Sequence, residues 1–333
     1  MAELPQLHAG SVFSGHWLIL KKLGEGGFGG VYLVRDSRKS DTPQNRCALK
    51  VEGANEQIQL LKMEVAVLEE LASRKANRHF AALFDKGRNP QCNYIVMTLL
   101  GKSLQDLKRA DGRPGYFSLP SALYIAIGTL ESLEDLHTIG YLHRDGKPGN
   151  FAIGRSEVGE LRKVYVLDFG MARKYLKSDG TIRTPRLAAG FRGTVRYAPI
   201  ACHVEREQCR KDDLETWLYM TIELTMGRLP WADMNDAGPV GRMKQQMHEV
   251  PNIPQLIRNC PAEYGQLLLY IDKLRYYDKP SYKQMYQVLS QALKNAGGGM
   301  EPRLDWEEGD GKTGRSKSRK SVNPRIDPDF FGR

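Results

Sequence analysis

His143 to Asn150 reads HRDGKPGN, and eighteen residues after Asn150 comes Asp168, in the run Leu167-Asp168-Phe169-Gly170. The first run sets an acid, a cation and a carboxamide on one short loop, which fixes their separation. Asp145 is placed to accept the proton of an attacking hydroxyl, Lys147 to hold a transferring phosphate, and Asn150 to ligate a metal. Asp168 adds a hard oxygen donor suited to Mg²⁺ bridging nucleotide phosphates. An isolated Asp-Phe-Gly is common, so the weight rests on the ordered series.

Upstream residues extend that series. Leu23 to Val31 reads LGEGGFGGV, with Gly24, Gly26 and Gly29 spaced as GxGxxG, so backbone amides can approach phosphates without obstruction by side chains. A dinucleotide-binding fingerprint needs a helix directly after such glycines. Here VYLVRD follows, a strand pattern, which favours a glycine-rich hairpin over a nucleotide; an ordinary turn is the competing reading. Cys47 to Val51 (CALKV) embeds Lys50 in an apolar strand, where a cation is costly unless an anion meets it. Glu64 lies on the inner part of LKMEVAVL and is the expected partner, although a solvated glutamate beside Glu69 and Glu70 is the bland alternative.

Composition sets the frame for these motifs. The 333 residues are 41% hydrophobic and 26% charged, close to the globular average, which excludes a wholly disordered, collagenous or coiled-coil chain. No apolar run approaches the roughly 18 residues that span a bilayer, and the N-terminus lacks a signal-peptide layout, so neither membrane nor secretion is expected. Five cysteines without a CxxC suggest reduced thiols rather than disulfides or zinc. The net charge is +10, and Thr181 to Lys211 concentrates it in Arg183, Arg186, Arg192, Arg196, Arg206, Arg210 and Lys211, read as a docking surface, with solvated arginines that meet no partner as the alternative.

Trp17 to Leu20, Val31 to Val34, Cys47 to Val51 and Tyr94 to Met97 read as strands, and Glu56 to Ala72 as an apolar-striped helix. Further helices are expected from Ser118, as cap, to about His137, and over Leu214 to Met226, Met243 to Glu249, Tyr264 to Leu274 and Tyr282 to Ala296. A small strand-rich half therefore precedes a larger helical half. Residues 297–333 are rich in Gly, Ser, Pro and charge and read as a flexible basic tail.

With these residues in order, the chain resembles the eukaryotic protein kinases over roughly 11–296. The resemblance implies an α+β bilobal fold: an N-terminal extension at 1–10, a small β-rich lobe at about 11–100, and a larger, mainly helical lobe at about 101–296. It implies ATP and Mg²⁺ as cofactors, with Leu23, Gly24, Gly26, Gly29, Val31, Lys50, Met97 and Leu100 around the nucleotide. Met97 would be the gatekeeper and the Thr98 to Leu100 backbone the adenine-binding hinge. Asp145, Lys147, Asn150, Lys50 and Glu64 would form the catalytic set, and Asn150 and Asp168 the metal ligands. Asp213 would anchor the catalytic loop, Thr194 would contact Asp145 and Lys147, and Arg192 and Arg196 would help to recognise substrate.

Lys147 resembles the serine/threonine class. GTVRYAP at Gly193 to Pro199, in place of APE, and RKDDLETWLYM resemble the casein kinase 1 group; LKMEVAVL, AGFRGTVRYA and EPRLDWEE look like its tau-tubulin kinase branch. Gly146 departs from the aliphatic residue usual after the HRD aspartate, and Asn235 from a lysine that serves phosphate-primed substrates. The expected activity is γ-phosphoryl transfer to protein Ser/Thr hydroxyls near acidic or phosphorylated residues, with cytoskeletal targets open through the family likeness. The other reading is a nucleotide-binding scaffold with weak or no turnover. A monomer is expected, in the cytoplasm, with the nucleus open through GRSKSRK in the tail. No nucleic-acid-reading module is present.

Overall fold

The alternation of buried and exposed positions in the first hundred residues builds one curled, antiparallel sheet, seen in the computed structural model, which describes residues 6–26, 29–54, 59–75, 78–297 and 302–310. Its strands are β1 (Val12–Phe13), β2 (Trp17–Gly26), β3 (Gly29–Asp36), β4 (Arg46–Gly53), β5 (Leu83–Arg88) and β6 (Cys92–Thr98), in the order β1-β2-β3-β4-β6-β5. Helix α1 (Leu60–Ser73) lies between β4 and β5 in sequence. One sheet face buries Ile19, Val34, Leu49, Val51 and Val96; the other packs Ala48, Ile95 and Met97 with Leu61 of α1. β-Branched and aromatic residues suit such a pleated surface, and that is why the strand expectations hold.

β5 escaped the sequence reading because it is an edge strand: LFDKGR alternates half-buried with exposed positions and carries charge instead of an apolar stripe. Residues 56–58 of the expected helix lie outside the described residues.

The larger lobe comprises α2 (Leu104–Arg109), α3 (Leu119–Thr138), β7 (Tyr141–Leu142), β8 (Phe151–Ile153), β9 (Val164–Val166), β10 (Arg173–Lys174), α4 (Ile200–His203), α5 (Arg210–Met226), α6 (Ala237–His248), α7 (Ile253–Leu256), α8 (Glu263–Lys273) and α9 (Tyr282–Asn295). Leu123, Leu130 and Leu133 of α3, Trp217 and Leu218 of α5, Leu267 of α8 and Leu289 of α9 share its core. α5 begins four residues before the expected Leu214, because Asp212 caps it by accepting from the Cys209 amide at 2.6 Å. α6 likewise starts early, at an Asp236 cap that accepts from the Gly238 amide.

Two expectations are corrected here. Ser118 does not cap α3 through its side chain; its hydroxyl donates to Asp305, 2.5 Å away and far along the chain. Residues 302–310, expected in a flexible tail, pack on the larger lobe instead. Leu304 and Trp306 are buried, the Trp306 ring meets Phe117 edge-on at 5.9 Å, and Arg162 pairs with Glu307 at 2.6 Å. Two apolar anchors suffice because their pocket already exists on the folded lobe. Residues 298–301 and 311–333 lie outside the described residues. Among the described residues, no helix is long and apolar enough to cross a membrane, and all five cysteines are free.

Candidate active site

The catalytic loop is shaped by one buried carboxylate. Asp213, near the start of α5, accepts from the amides of His143 (2.7 Å) and Arg144 (2.8 Å) and pairs with His137 Nε2 at 2.8 Å. Arg144 sits at φ 67, a left-handed conformation unfavourable for a residue with a Cβ, and the two Asp213 bonds hold it there. Burial works against the Asp213 charge, yet the hydrogen bond and charge of His137 outweigh it and keep the carboxyl below its usual value.

The loop delivers its reactive groups together. Asp145 Oδ2 meets Lys147 Nζ at 2.6 Å and Asn150 Nδ2 at 3.0 Å, and Asp145 Oδ1 accepts from the Thr194 hydroxyl at 2.7 Å. Lys147 also donates to the Thr194 oxygen at 3.1 Å. Thr194 reaches this position because Gly193, at φ 120, passes close to the Arg144 carbonyl; a Cβ there would lie 2.9 Å from that oxygen. Gly146 has no left-handed conformation to satisfy, and its missing side chain leaves no hole: the Thr216 methyl would lie 3.0 Å from a Cβ at this position.

Across the cleft, Lys50 of β4 pairs with Glu64 of α1 at 2.6 Å and lies 3.7 Å from Asp168. Burial penalises all three charges. For Lys50 the carboxylates of Glu64 and Asp168 outweigh it and the pKa rises, whereas burial pushes Glu64 up to about 7 against the pull of Lys50. Asp168 is kept below its ordinary value, because Lys50 and the Gly170 amide overcome its burial. Phe169 fixes the direction of that carboxylate by packing between Phe80 (5.9 Å) and His143 (5.8 Å).

Gly29 comes so close to β4 that a Cβ would overlap the Val51 carbonyl, 1.8 Å away. Gly24 and Gly29 flank the tip of the β2–β3 hairpin, which stands beside Lys50 in register: Val31 pairs with Lys50. Residues 27 and 28 at that tip lie outside the described residues, as does the side-chain environment of Gly26, while Leu23 is exposed. Met97, buried, lies near the end of β6. Beyond it the Leu99 carbonyl accepts from Arg155 at 3.1 Å and the Gly101 amide donates to Ile153, which clamps the segment around Leu100 to the larger lobe.

A groove of about 490 Å³ opens beside Lys147, lined in part by Gln105, Arg109, Thr194, Arg196, Met234 and Asn235. The basic stretch read as a docking surface is largely engaged by the protein itself. Arg196 donates to Glu223 at 3.1 Å and to the Ala232 carbonyl at 3.0 Å. Arg186 and Arg173 converge on Glu207, Arg210 lies over the Tyr175 ring, and Lys211 faces Asp212 and Glu215. Arg183, Arg192 and Arg206 remain exposed. Arginines draw buried carboxylates as readily as they draw substrate, and composition cannot distinguish the two.

Sequence reasoning missed Glu52 as well: its Oε1 accepts from the amides of Leu60 (2.6 Å) and Leu61 (3.3 Å), capping α1 from a neighbouring strand. No local signal marks it, since a capping residue is ordinarily sought just before its helix.

The two lobes, the glycine-bearing hairpin and the grouping of Lys50, Asp145 and Asp168 have the arrangement of a protein kinase domain, and comparison agrees. Residues 17–294 match the family model described as the protein kinase domain, so the chain belongs to the protein kinase family. It is 36% identical over 299 residues, 90% of its length, to a probable serine/threonine-protein kinase of Dictyostelium discoideum, of which it spans 58%. It is 37% identical over 87% of its length to the serine/threonine-protein kinase spe-6 of Caenorhabditis elegans, of which it covers 75%. A C. elegans protein named as a candidate casein kinase I is 30% identical over 92% of this chain and 88% of its own.

Proposed function

We propose that the chain is an active serine/threonine protein kinase of the casein kinase 1 group, on its tau-tubulin kinase-like branch, moving the γ-phosphoryl of ATP to protein hydroxyls. The observation that carries this reading is the arrangement at Asp145, whose two carboxylate oxygens are held by Thr194, Lys147 and Asn150 in a cleft shared with Lys50 and Asp168.

A hydroxyl seated beside Lys147 meets Asp145 as proton acceptor. Lys147 offsets charge on the phosphoryl group in flight, and Lys50, steadied by Glu64, offsets charge on the remaining phosphates. Asn150, its amide nitrogen tied to Asp145, and Asp168 provide a carboxamide oxygen and a carboxylate. Hard oxygen donors of this kind fit Mg²⁺, which takes few protein ligands and completes its shell with phosphate and water. When bound it supplies neutralisation of the nucleotide phosphates.

The scaffold alternative rested on Gly146. Thr216 fills the space beside it, and Lys50, Asp145 and Asp168 are all present, so turnover is the better-supported reading.

Acidic residues or phosphate near the acceptor suit the groove, which Arg109 lines, with Arg192 exposed nearby in sequence. Arg196 contributes less than expected, because Glu223 already holds it. A monomer acting in the cytoplasm fits this reading. The test uses peptides that differ only in the acceptor (Ser, Thr or Tyr) and in acidic or neutral flanks. Transfer to Ser and Thr with acidic flanks, weakened for those flanks by Arg192→Ala, is expected; preference for Tyr, or indifference to flank charge, would overturn the substrate reading.

A further inference from the structure

Lys244, on α6, is completely buried, and among the described residues no carboxylate lies within ion-pair distance of its ammonium. Glu215 of α5 acts on it favourably from further off, but that carboxylate is already engaged: its Oε1 accepts from the Ile200 amide at 2.7 Å and the Tyr219 hydroxyl at 2.8 Å. A lone cation in such a place is unfavourable unless every donor finds an acceptor.

All three do. Lys244 Nζ donates to the carbonyls of Val195 (2.9 Å) and Ala198 (2.6 Å) and to His203 Nε2 (3.1 Å). The His203 acceptor role follows from its other nitrogen, Nδ1, whose proton goes to the Ala237 carbonyl at 2.8 Å. The rings of Tyr219 and Trp231 stand 5.0 and 5.2 Å from the ammonium, close enough for cation–π attraction. Between the two captured carbonyls, the Arg196 carbonyl accepts from Trp231 Nε1 at 2.7 Å. Buried side chains from outside therefore hold the backbone of 195–198, the segment that follows Thr194 and walls the groove.

We propose that Lys244 is a positioning residue for the protein substrate: wedged beneath residues 195–198, it holds the groove wall and, with it, the Thr194 hydroxyl that joins Asp145 to Lys147. This rests on the kinase reading of the cleft.

The chemistry of the pocket gives the brace a pH dependence. Burial pushes Lys244 down to about 7, with Glu215 opposing. Cys202 and His203 face it from α4, Glu215 and Tyr219 from α5, and Trp231 from the segment after α5. Burial raises the Cys202 thiol and the Tyr219 hydroxyl and lowers His203, so these stay neutral around pH 7 and Glu215, shared with Lys211, is the facing ion. As pH rises, Lys244 loses a proton and a donor, and the wall loosens. Stability runs the other way. The ordinary lysine value is 10.5, so between about 7 and 10.5 the unfolded chain binds more protons at this residue, and this group makes stability rise with pH. A general structural role would make fold and groove worsen together.

The experiment compares the full chain with Lys244→Met on a serine peptide. Expected are a peptide KM raised about tenfold with the ATP KM within about twofold, and a wild-type peptide KM that climbs between roughly pH 6.5 and 8.5 while that of the variant stays flat. Amide hydrogen exchange across 194–199 should quicken in the variant, with β3 and β4 unchanged. An equal rise in both KM values, or the same pH slope in both proteins, would overturn the proposal. If Lys244→Met does not fold, Trp231→Phe removes the donor to Arg196 and should give the same split more weakly; no split overturns it. If the wild type transfers no phosphate, the kinase reading fails on its own, and unchanged exchange at 194–199 then overturns the role of Lys244.

Discussion

Gly146 shows how a departure from a motif is absorbed by a neighbour. The position expected to carry an aliphatic side chain carries none, and the Thr216 methyl occupies the space. Because the backbone at Gly146 is not left-handed, a larger residue there meets a packing obstacle, not a conformational one. Gly146→Ala should therefore cost roughly 1 kcal/mol by overpacking, and adding Thr216→Ser should recover most of it; thermal denaturation of the single and double variants checks this. Equal losses with and without Thr216→Ser would mean that the two residues do not compete for space. Asp145, Lys147, Asn150 and Asp168 could be read from sequence because each is a chemically distinctive residue at fixed spacing within one loop or its neighbour. Glu52 and Lys244 could not, because their partners lie on other elements and nothing in their own neighbourhood marks them.

Helix α5 illustrates the same limit for a whole element. It is buried on nearly every side, so it lacks the one-sided apolar stripe that reveals a surface helix. Each of its buried carboxylates holds a different part of the lobe. Asp212 caps the helix, Asp213 shapes the catalytic loop, Glu215 holds the start of α4, and Glu223 gathers Arg196, Lys108 and the Tyr197 hydroxyl. The arginine and tyrosine immediately follow Thr194 and Val195, so Glu223 supports the groove from behind. Glu223→Gln keeps the shape but removes the charge that balances Arg196 and Lys108. A stability loss of roughly 2 kcal/mol in urea titration is expected, with a higher affinity of the groove for a phosphopeptide as Arg196 is released. Unaltered stability together with unaltered phosphopeptide affinity would show that this carboxylate does not hold the pair.

For the molecule as a whole, a two-lobed fold with a strand-rich first part could be anticipated from the change of hydrophobic period near residue 100. The docking of 302–310 could not, since a segment with two apolar anchors has the composition of a solvated tail until the pocket at Phe117 and Leu161 is known. Trp306 fills that pocket and donates to the Leu161 carbonyl at 3.0 Å. Trp306→Ala should lower stability by about 3 kcal/mol, read by calorimetry, while the ATP KM stays unchanged because the segment lies away from the cleft. The proposed function rests on the cleft itself, where one loop holds Lys147 and Asn150 within hydrogen-bond distance of Asp145. The most direct measurement is transfer of labelled γ-phosphate from ATP to casein in the presence of Mg²⁺, by the purified chain and by Asp145→Asn. Incorporation by the first is expected, with a loss of at least about a hundredfold in the second and nucleotide still bound by both. Equal incorporation by both, or none by either while nucleotide still binds, would contradict the assignment of Asp145 as the proton acceptor of a working kinase.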